Sequence, residues 1–243
     1  CPKICISVVS WRQSMLPNRK DDAVVLVLDS WPQSGKVVVP RLNNPFGRTR
    51  IAGRRLEEKG RGLQVHTVSA EWRISLPKNP PAGTKPIVFL ETVGEPYFAK
   101  EPTVTSEVSG VLKLVAHHAE TRGEKLLYEP QPHKNTVGYW VDPKAYCFWH
   151  VNIDEPGRFR VEILQGCGKG QGGSVAKIAC GDSSLEFTVE ETGHFQNFTW
   201  RDLGTIELAK GAKQELAIRV VKLAKNALMD VRTLRLTRIS ARR

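Results

Sequence analysis

No stretch of this sequence approaches the roughly 20 apolar residues that a membrane-spanning helix needs, so a helical membrane protein is excluded. Collagen-like periodicity is absent too. There is no C-x-x-C pair, no G-x-S-x-G elbow and no G-x-x-x-x-G-K-[ST] phosphate loop, which removes the common zinc ribbons, hydrolase nucleophiles and nucleotide sites. No segment carries a convincing amphipathic helix; the nearest, around 221–229, is weak. Acidic residues are outnumbered, 25 Asp and Glu against 36 Lys and Arg. Cysteine is sparse and odd in number, five in all, so the set cannot pair completely within one chain.

What is present in 243 residues is enough for one large or two small domains, with 40% hydrophobic residues to build a core. The net charge of +11 is concentrated at Lys3, Arg12, Arg19 and Lys20, at Arg41–Arg61, and at Arg219–Arg243. Such clusters suit nucleic acid, an anionic membrane or an acidic polysaccharide, or simply solubility. The opening Cys1-Pro2-Lys3, with the first Met at Met15, leads us to expect a piece of something longer or an unusual start. The run ICISVVS is too short and polar for a signal peptide core.

Strand signals dominate. AVVLVLD (23–29) and VVV (37–39) flank Gln33-Ser34-Gly35, which reads as a hairpin-type turn. LQVHTV (63–68), WRISL (72–76) and PIVFLE (86–91) follow, the last after the turn-rich PKNPPAGTK. These predict a small antiparallel β-sandwich over 21–96, with 1–20 unassigned. Residues 97–110 show little periodicity and read as a linker. Beyond them Cys147, Trp149, Val151 and Ile153 share one face, and Phe159, Val161 and Ile163 alternate with polar residues. Leu185, Phe187 and Val189 alternate likewise, as do Leu216, Ile218 and Val220. The expected fold is all-β: two β-sandwich domains, the second a jelly roll over 111–239, with a basic tail at 240–243.

Individual motifs yield less. GKGQGG (168–173) matches G-x-G-x-x-G, but SVAKIAC after it reads as a strand, so a flexible hairpin connection is expected rather than a dinucleotide site. His117 and His118 would point to opposite faces of a strand and make a poor metal pair. Cys147, Cys167 and Cys180 read as buried thiols, with a Cys167–Cys180 or Cys147–Cys180 bridge as the alternative. Trp149 and Trp200 read as core. Tyr139, Trp140 and Phe195, beside turns, are either core or a platform on which a sugar ring stacks. Asn197-Phe198-Thr199 fits the N-glycosylation pattern, which arises often by chance.

Two segments resemble a known family. VVLVLDSWPQSGKVVVPRL (24–42) with WRISLPKNPPAGTKPIVFLETVGEP (72–96) is similar to the small β-sandwich that ends family 29 α-L-fucosidases, with Trp31-Pro32 and Leu76-Pro77 in the expected order. The stretch from GYWVDPKAYCFWHVNI to LMDVRTLRL resembles a galactose-binding-like jelly roll, related to families 6 and 35 of the carbohydrate-binding modules. That resemblance implies a rim site made by Tyr139 or Trp140, Phe195 and Asp230. Phe195 stands where Trp is commoner, and Asp230 where Asn is. It also implies Glu120 as a structural calcium ligand, and otherwise no cofactor.

The family's catalytic residues lie in a (β/α)₈ barrel of about 250 residues, for which this chain has no room beside the two sandwiches. The expectation is therefore a non-catalytic C-terminal part of a fucosidase-like glycoside hydrolase, from a fragmentary or frameshifted gene. Its partners would be a glycan, fucosylated or sulfated, and a separate or missing barrel, with no membrane. The parent family is secreted or periplasmic, although no signal peptide is seen. Two alternatives stand beside it: a purely structural sandwich without ligand, and a basic nucleic-acid-binding protein, ranked low because no groove-reading helix or stacking pattern accompanies the charge.

Overall fold

The computed structural model describes residues 4–10, 21–42, 46–51, 63, 65–68, 71–79, 86–93, 96, 103–106, 109–129 and 133–239. The basic run 54–61, the proline-rich turn at 80–85 and the tail at 240–243 lie outside the described residues. The chain divides into two compact units, one made of Cys1–Lys100 with Glu129–Asn135, the other of Glu101–Tyr128 with Thr136–Arg243. Among the described residues the only helical element is a three-residue 3-10 turn, so the chain is all-β. No described helix is long and apolar enough to cross a membrane.

The first unit holds β1 (Ile4–Ser10), β2 (Asp21–Leu28), β3 (Lys36–Pro40), β4 (Phe46–Ile51), β5 (Val65–Val68), β6 (Glu71–Ser75) and β7 (Ile87–Val93). One antiparallel sheet runs β1-β2-β7-β4. Its inner strand β2 buries Ala23, Val24, Val25 and Leu26 in succession. Such an unbroken apolar run belongs to a strand covered on both faces, and alternation is lost there for that reason. A second ladder runs β3-β6-β5, setting Val37 and Val65 opposite Ile74 and Val39 opposite Trp72. Those five side chains are buried, while Lys36, Val38, Glu71 and Arg73 turn outward.

The turn at Gln33-Ser34-Gly35 exists, closed by Gly35 N donating to Pro32 O (2.9 Å) with Gly35 at φ +63°. It is not a hairpin. β2 pairs with β1 and β7 and β3 pairs with β6, so the turn carries the chain from one ladder to the other. Trp31, just before it, is pinned by Nε1 donating to Pro77 O at 2.9 Å. The short strand β11 (Leu127–Glu129) leads from the second unit into the first.

The second unit comprises β8 (Thr103–Thr105), β9 (Val111–Val115), the 3-10 turn Ala116–His118, β10 (Glu120–Arg122), β12 (Thr136–Gly138), β13 (Tyr146–Ile153) and β14 (Gly157–Gly166). It continues with β15 (Val175–Cys180), β16 (Ser183–Thr188), β17 (Thr199–Leu208), β18 (Gly211–Lys222) and β19 (Asp230–Arg238). One sheet runs β10-β13-β18-β15-β16, with β8 added parallel to β13. The other places β17 against β14, β14 against β19, and both β9 and β12 along the far side of β19. The two sheets form a sandwich of jelly-roll type.

Its core is the one expected. Cys147, Trp149, Val151 and Ile153 of one sheet and Phe159, Val161 and Ile163 of the other are all buried. Trp149 is anchored further by Nε1 donating to Val115 O at 2.8 Å. Several expectations need correction. Thr103–Thr105, inside the presumed linker, form β8. Residues 168–173 join β14 of one sheet to β15 of the other, so they are an intersheet crossing and not a hairpin. His117 and His118 lie on the 3-10 turn, not a strand, with ring centroids 4.2 Å apart edge to face. The segment after Lys222 is irregular and never becomes helical.

Trp200 is a further correction. It is 42% exposed rather than core, lying on the outer face of β17 under the Arg235 guanidinium, 4.5 Å from the ring centroid. Arg235 in turn makes a two-pronged ion pair with Glu162, both contacts at 2.9 Å. A planar cation between an indole and a carboxylate satisfies both, which explains why a large aromatic is tolerated outside the core.

Candidate functional site

Four connections meet at one end of the second unit: 138–141, 166–174, 191–197 and 224–230. Tyr139 follows β12 with φ +59°, a left-handed backbone that turns consecutive side chains apart. Tyr139 is therefore 47% exposed while Trp140 is 1% exposed, its Nε1 donating to Ala145 O at 3.0 Å. Trp140 O accepts from Leu228 N (2.8 Å), which ties this turn to the segment before β19. Val141, also exposed, extends the apolar surface beside Tyr139.

The next two connections are clamped together by Thr192. Its N–H donates to Cys167 O (3.0 Å) and its hydroxyl oxygen accepts from Cys167 N (2.8 Å). A parallel bridge joins Gly168 to Gly193. Phe195 lies over the glycines of this stretch: a Cβ on Gly168 would come within 2.6 Å of its ring. Gln171 Oε1 accepts from Asn226 N (3.1 Å) and Ala227 N (3.2 Å), and Ser174 Oγ from Ala224 N (3.0 Å), which secures the fourth connection. Ordered loops on a rigid sandwich are where binding residues gather.

Asp230 opens β19 in register with Gly166 of β14, and only 4% of it is exposed. Glu191 is exposed and accepts from Gly170 N at 2.6 Å. Both carboxylates bear on the Cys167 thiol, whose pKa is pushed up to about 11 by burial first, then by Glu191 and Asp230. Burial raises Cys147 and Cys180 as well. All three are free thiols, so neither suggested bridge is formed.

Their sign of linkage is simple. A thiol with a raised pKa in the fold contributes full stability below its unfolded value near 9.0 and loses it as pH climbs toward the folded value. The second unit should therefore weaken between pH 9 and 11, as read by urea denaturation across that range. A midpoint that stays flat would contradict the buried thiols. Below pH 9, peptide mapping should find these three cysteines alkylated only after unfolding.

Tyr139, Trp140, Phe195 and Asp230 thus come to the same end of the sandwich, with unequal exposure. Glu120 does not join them. It sits on β10 opposite Phe148, with Oε2 3.2 Å from Arg122 Nη2 and Oε1 3.4 Å from His150 Nε2. A guanidinium on that carboxylate puts positive charge where a calcium ion would sit, so the surroundings fit an ion-pair network and not a calcium site. Among the described residues no group of three His, Cys, Asp or Glu is placed to hold a metal ion. Sequence reasoning missed the Thr192 clamp and the role of Val141; the T-G step at 192–193 is the one signal that points there.

No protein-family model matches the chain, and no curated protein matches it. Similar solved structures exist. One is the C-terminal CBM6 of LamC, a marine laminarinase from Zobellia galactanivorans, at 19% identity and TM-score 0.44, covering 53% of this chain and 99% of that one. Another is the GH26-CBM35 β-(1,4)-mannanase of Podospora anserina, at 12% identity and TM-score 0.41 over 56% of this chain and 29% of the enzyme. The Cry4Aa toxin from Bacillus thuringiensis is similar across 98% of this chain and 53% of its own, at 7% identity and TM-score 0.48. The neighbours include carbohydrate-binding modules carried by glycoside hydrolases.

Proposed function

We propose that the second unit is a carbohydrate-binding module of a fucosidase-like glycoside hydrolase, and that it holds its glycan at the end carrying Tyr139. The observation that carries this reading is an exposed Tyr139 followed in the chain by a buried, hydrogen-bonded Trp140. An aromatic ring held outward on a fixed base presents a flat apolar face of the kind on which sugar rings stack. Asp230 offers a carboxylate edge for sugar hydroxyls. Phe195 and Trp140 act in this reading as the wall and floor that keep the platform rigid, not as contact surfaces themselves.

The sequence similarity of 24–42 and 72–96 to the terminal sandwich of family 29 α-L-fucosidases supports the fucosidase parentage. On that reading the first unit braces a catalytic barrel. Hydrolysis is then the work of a barrel that the described residues do not form.

The test is affinity gel electrophoresis of the chain against fucosylated and other neutral and sulfated glycans, with Tyr139→Ala alongside. Retardation by at least one glycan is expected. Tyr139→Ala should weaken it about tenfold, corresponding to an aromatic contact of about 1.5 kcal/mol. No retention by any glycan at millimolar concentration overturns the proposal. The purely structural reading has its own support, since Trp140 is core and Phe195 packs on Gly168; it predicts that Tyr139→Ala changes nothing.

A further inference from the structure

The GKGQGG crossing (168–173) has no part in the sugar platform itself, yet it touches two of the other connections that build that end. Towards 191–197, Gly170 N donates to Glu191 Oε2 at 2.6 Å. A Cβ on Gly172 would come within 3.1 Å of Glu191 N, so the missing side chain is what lets the two backbones lie this close. Towards 224–230 the contact is made by Gln171, whose own N–H donates to Gly168 O at 3.0 Å. Its Oε1 accepts from Asn226 N (3.1 Å) and from Ala227 N (3.2 Å). A side-chain carbonyl has two lone pairs, and here both serve successive backbone donors.

Packing does not fix that part of the connection. Ala224, Lys225 and Asn226 are exposed and Ala227 is half-buried; full burial begins at Leu228. Residues 224–227 are held instead by side-chain oxygens, Ser174 Oγ on Ala224 N and Gln171 Oε1 on Asn226 and Ala227. The next residue passes this restraint to the Tyr139 turn. Leu228 N donates to Trp140 O at 2.8 Å, and Val141 N donates to Tyr139 O at 3.1 Å, so both carbonyls of the turn are held.

Resting on the rim reading above, we infer that Gln171 is the positioning residue of the glycan site. By fixing Asn226 and Ala227 it sets the Leu228–Trp140 hydrogen bond and, through that bond, where the Tyr139 ring stands. Gln171 need touch no sugar to do this. A platform already in place spares the glycan the cost of ordering it, and a loosened connection would reintroduce that cost. The residue type matters because Gln is long enough to carry a carbonyl from the crossing to the neighbouring connection. Met, of similar length, brings only a weak thioether acceptor.

The experiment compares the whole chain with Gln171→Met, which keeps the length and loses the carbonyl, and Gln171→Glu, which keeps the acceptor. Without any glycan, amide hydrogen exchange is followed at Leu228, whose own acceptor neither change removes. Gln171→Met should speed that exchange and Gln171→Glu should not. In affinity electrophoresis against a glycan that the wild type retains, Gln171→Met should weaken retention about fivefold, the cost of reordering a short connection, and Gln171→Glu should restore it. Combined with Tyr139→Ala, Gln171→Met should add nothing, because the ring it positions is gone. Should Gln171→Met fail to fold, Gln171→Asn, which withdraws the same oxygen by one carbon, is read in its place. Unchanged exchange at Leu228, unchanged retention, no rescue by Gln171→Glu, or a loss that persists beside Tyr139→Ala overturns this inference and leaves carbohydrate binding standing. No retention, or retention without Tyr139 dependence, overturns the rim reading, and the inference with it.

Discussion

Gly166→Ala should lower the unfolding free energy of the second unit by about 3 kcal/mol, the upper end of what overpacking costs. An ideal Cβ at Gly166 would come 1.9 Å from the carbonyl oxygen of Phe195 and 2.7 Å from its carbonyl carbon. Both are backbone atoms, so no side-chain rotation relieves the contact. The connection 191–197 would have to move, and with it the Cys167–Thr192 hydrogen bonds and the Gly168–Gly193 bridge. Urea denaturation reads the loss, and near-native stability would contradict the packing described. Gly170→Ala is the contrast: nothing lies within 4 Å of its Cβ, and its penalty comes from a φ of +73° alone. That costs about 1–2 kcal/mol. If the two variants cost the same, the Phe195 contact is not what constrains Gly166.

Trp149→Ala should cost the second unit about 4 kcal/mol, since removing a buried tryptophan forfeits both its transfer energy and its packing. Trp149 lies on β13 opposite Leu216 of β18, and its Nε1 donates to Val115 O. The substitution also leaves that carbonyl without its indole partner. Trp149→Phe should recover most of the loss and leave roughly the worth of one hydrogen bond, about 1 kcal/mol. For a domain with about 5–15 kcal/mol in total, the alanine variant sits near the edge of folding. A Trp149→Ala protein that unfolds at the wild-type urea concentration would place the core elsewhere.

Alternation alone makes the sandwich core legible. Cys147, Trp149, Val151 and Ile153 recur with period two because β13 has one face inward, and the sequence shows that period directly. Pairing partners are not legible in the same way. Gln33-Ser34-Gly35 and GKGQGG have the composition of hairpin turns, yet both cross between ladders, because turn residues set a local reversal and not which strand receives the chain. β8 escapes notice because three residues in a parallel edge pairing carry no period. Trp200 reads as core for being large and apolar, whereas Arg235 and Glu162 give it a polar neighbourhood outside.

The candidate end shows the same division. Family resemblance singles out Tyr139, Trp140, Phe195 and Asp230, and the fold gathers them through β12, β14 and β19. Which of them faces solvent depends on the left-handed turn at Tyr139 and on Phe195 settling against glycines. Neither is encoded in residue type.

The position of β19 has a consequence for how the protein is made. This strand is the last in chain order among those described, yet it lies inside its sheet, between β14 on one side and β9 and β12 on the other. During synthesis, β14 and β9 therefore present open backbone edges until Asp230–Arg238 leaves the ribosome. Nearly the whole second unit must wait, unfolded or half-assembled, for its final nine-residue strand. Such long-range pairing folds in milliseconds to seconds, slowly enough for edges to meet the wrong neighbours in a crowded cell. A nascent chain stalled before residue 230 would be a substrate for chaperones, and the second unit of a chain stalled once Arg238 has cleared the ribosome would not.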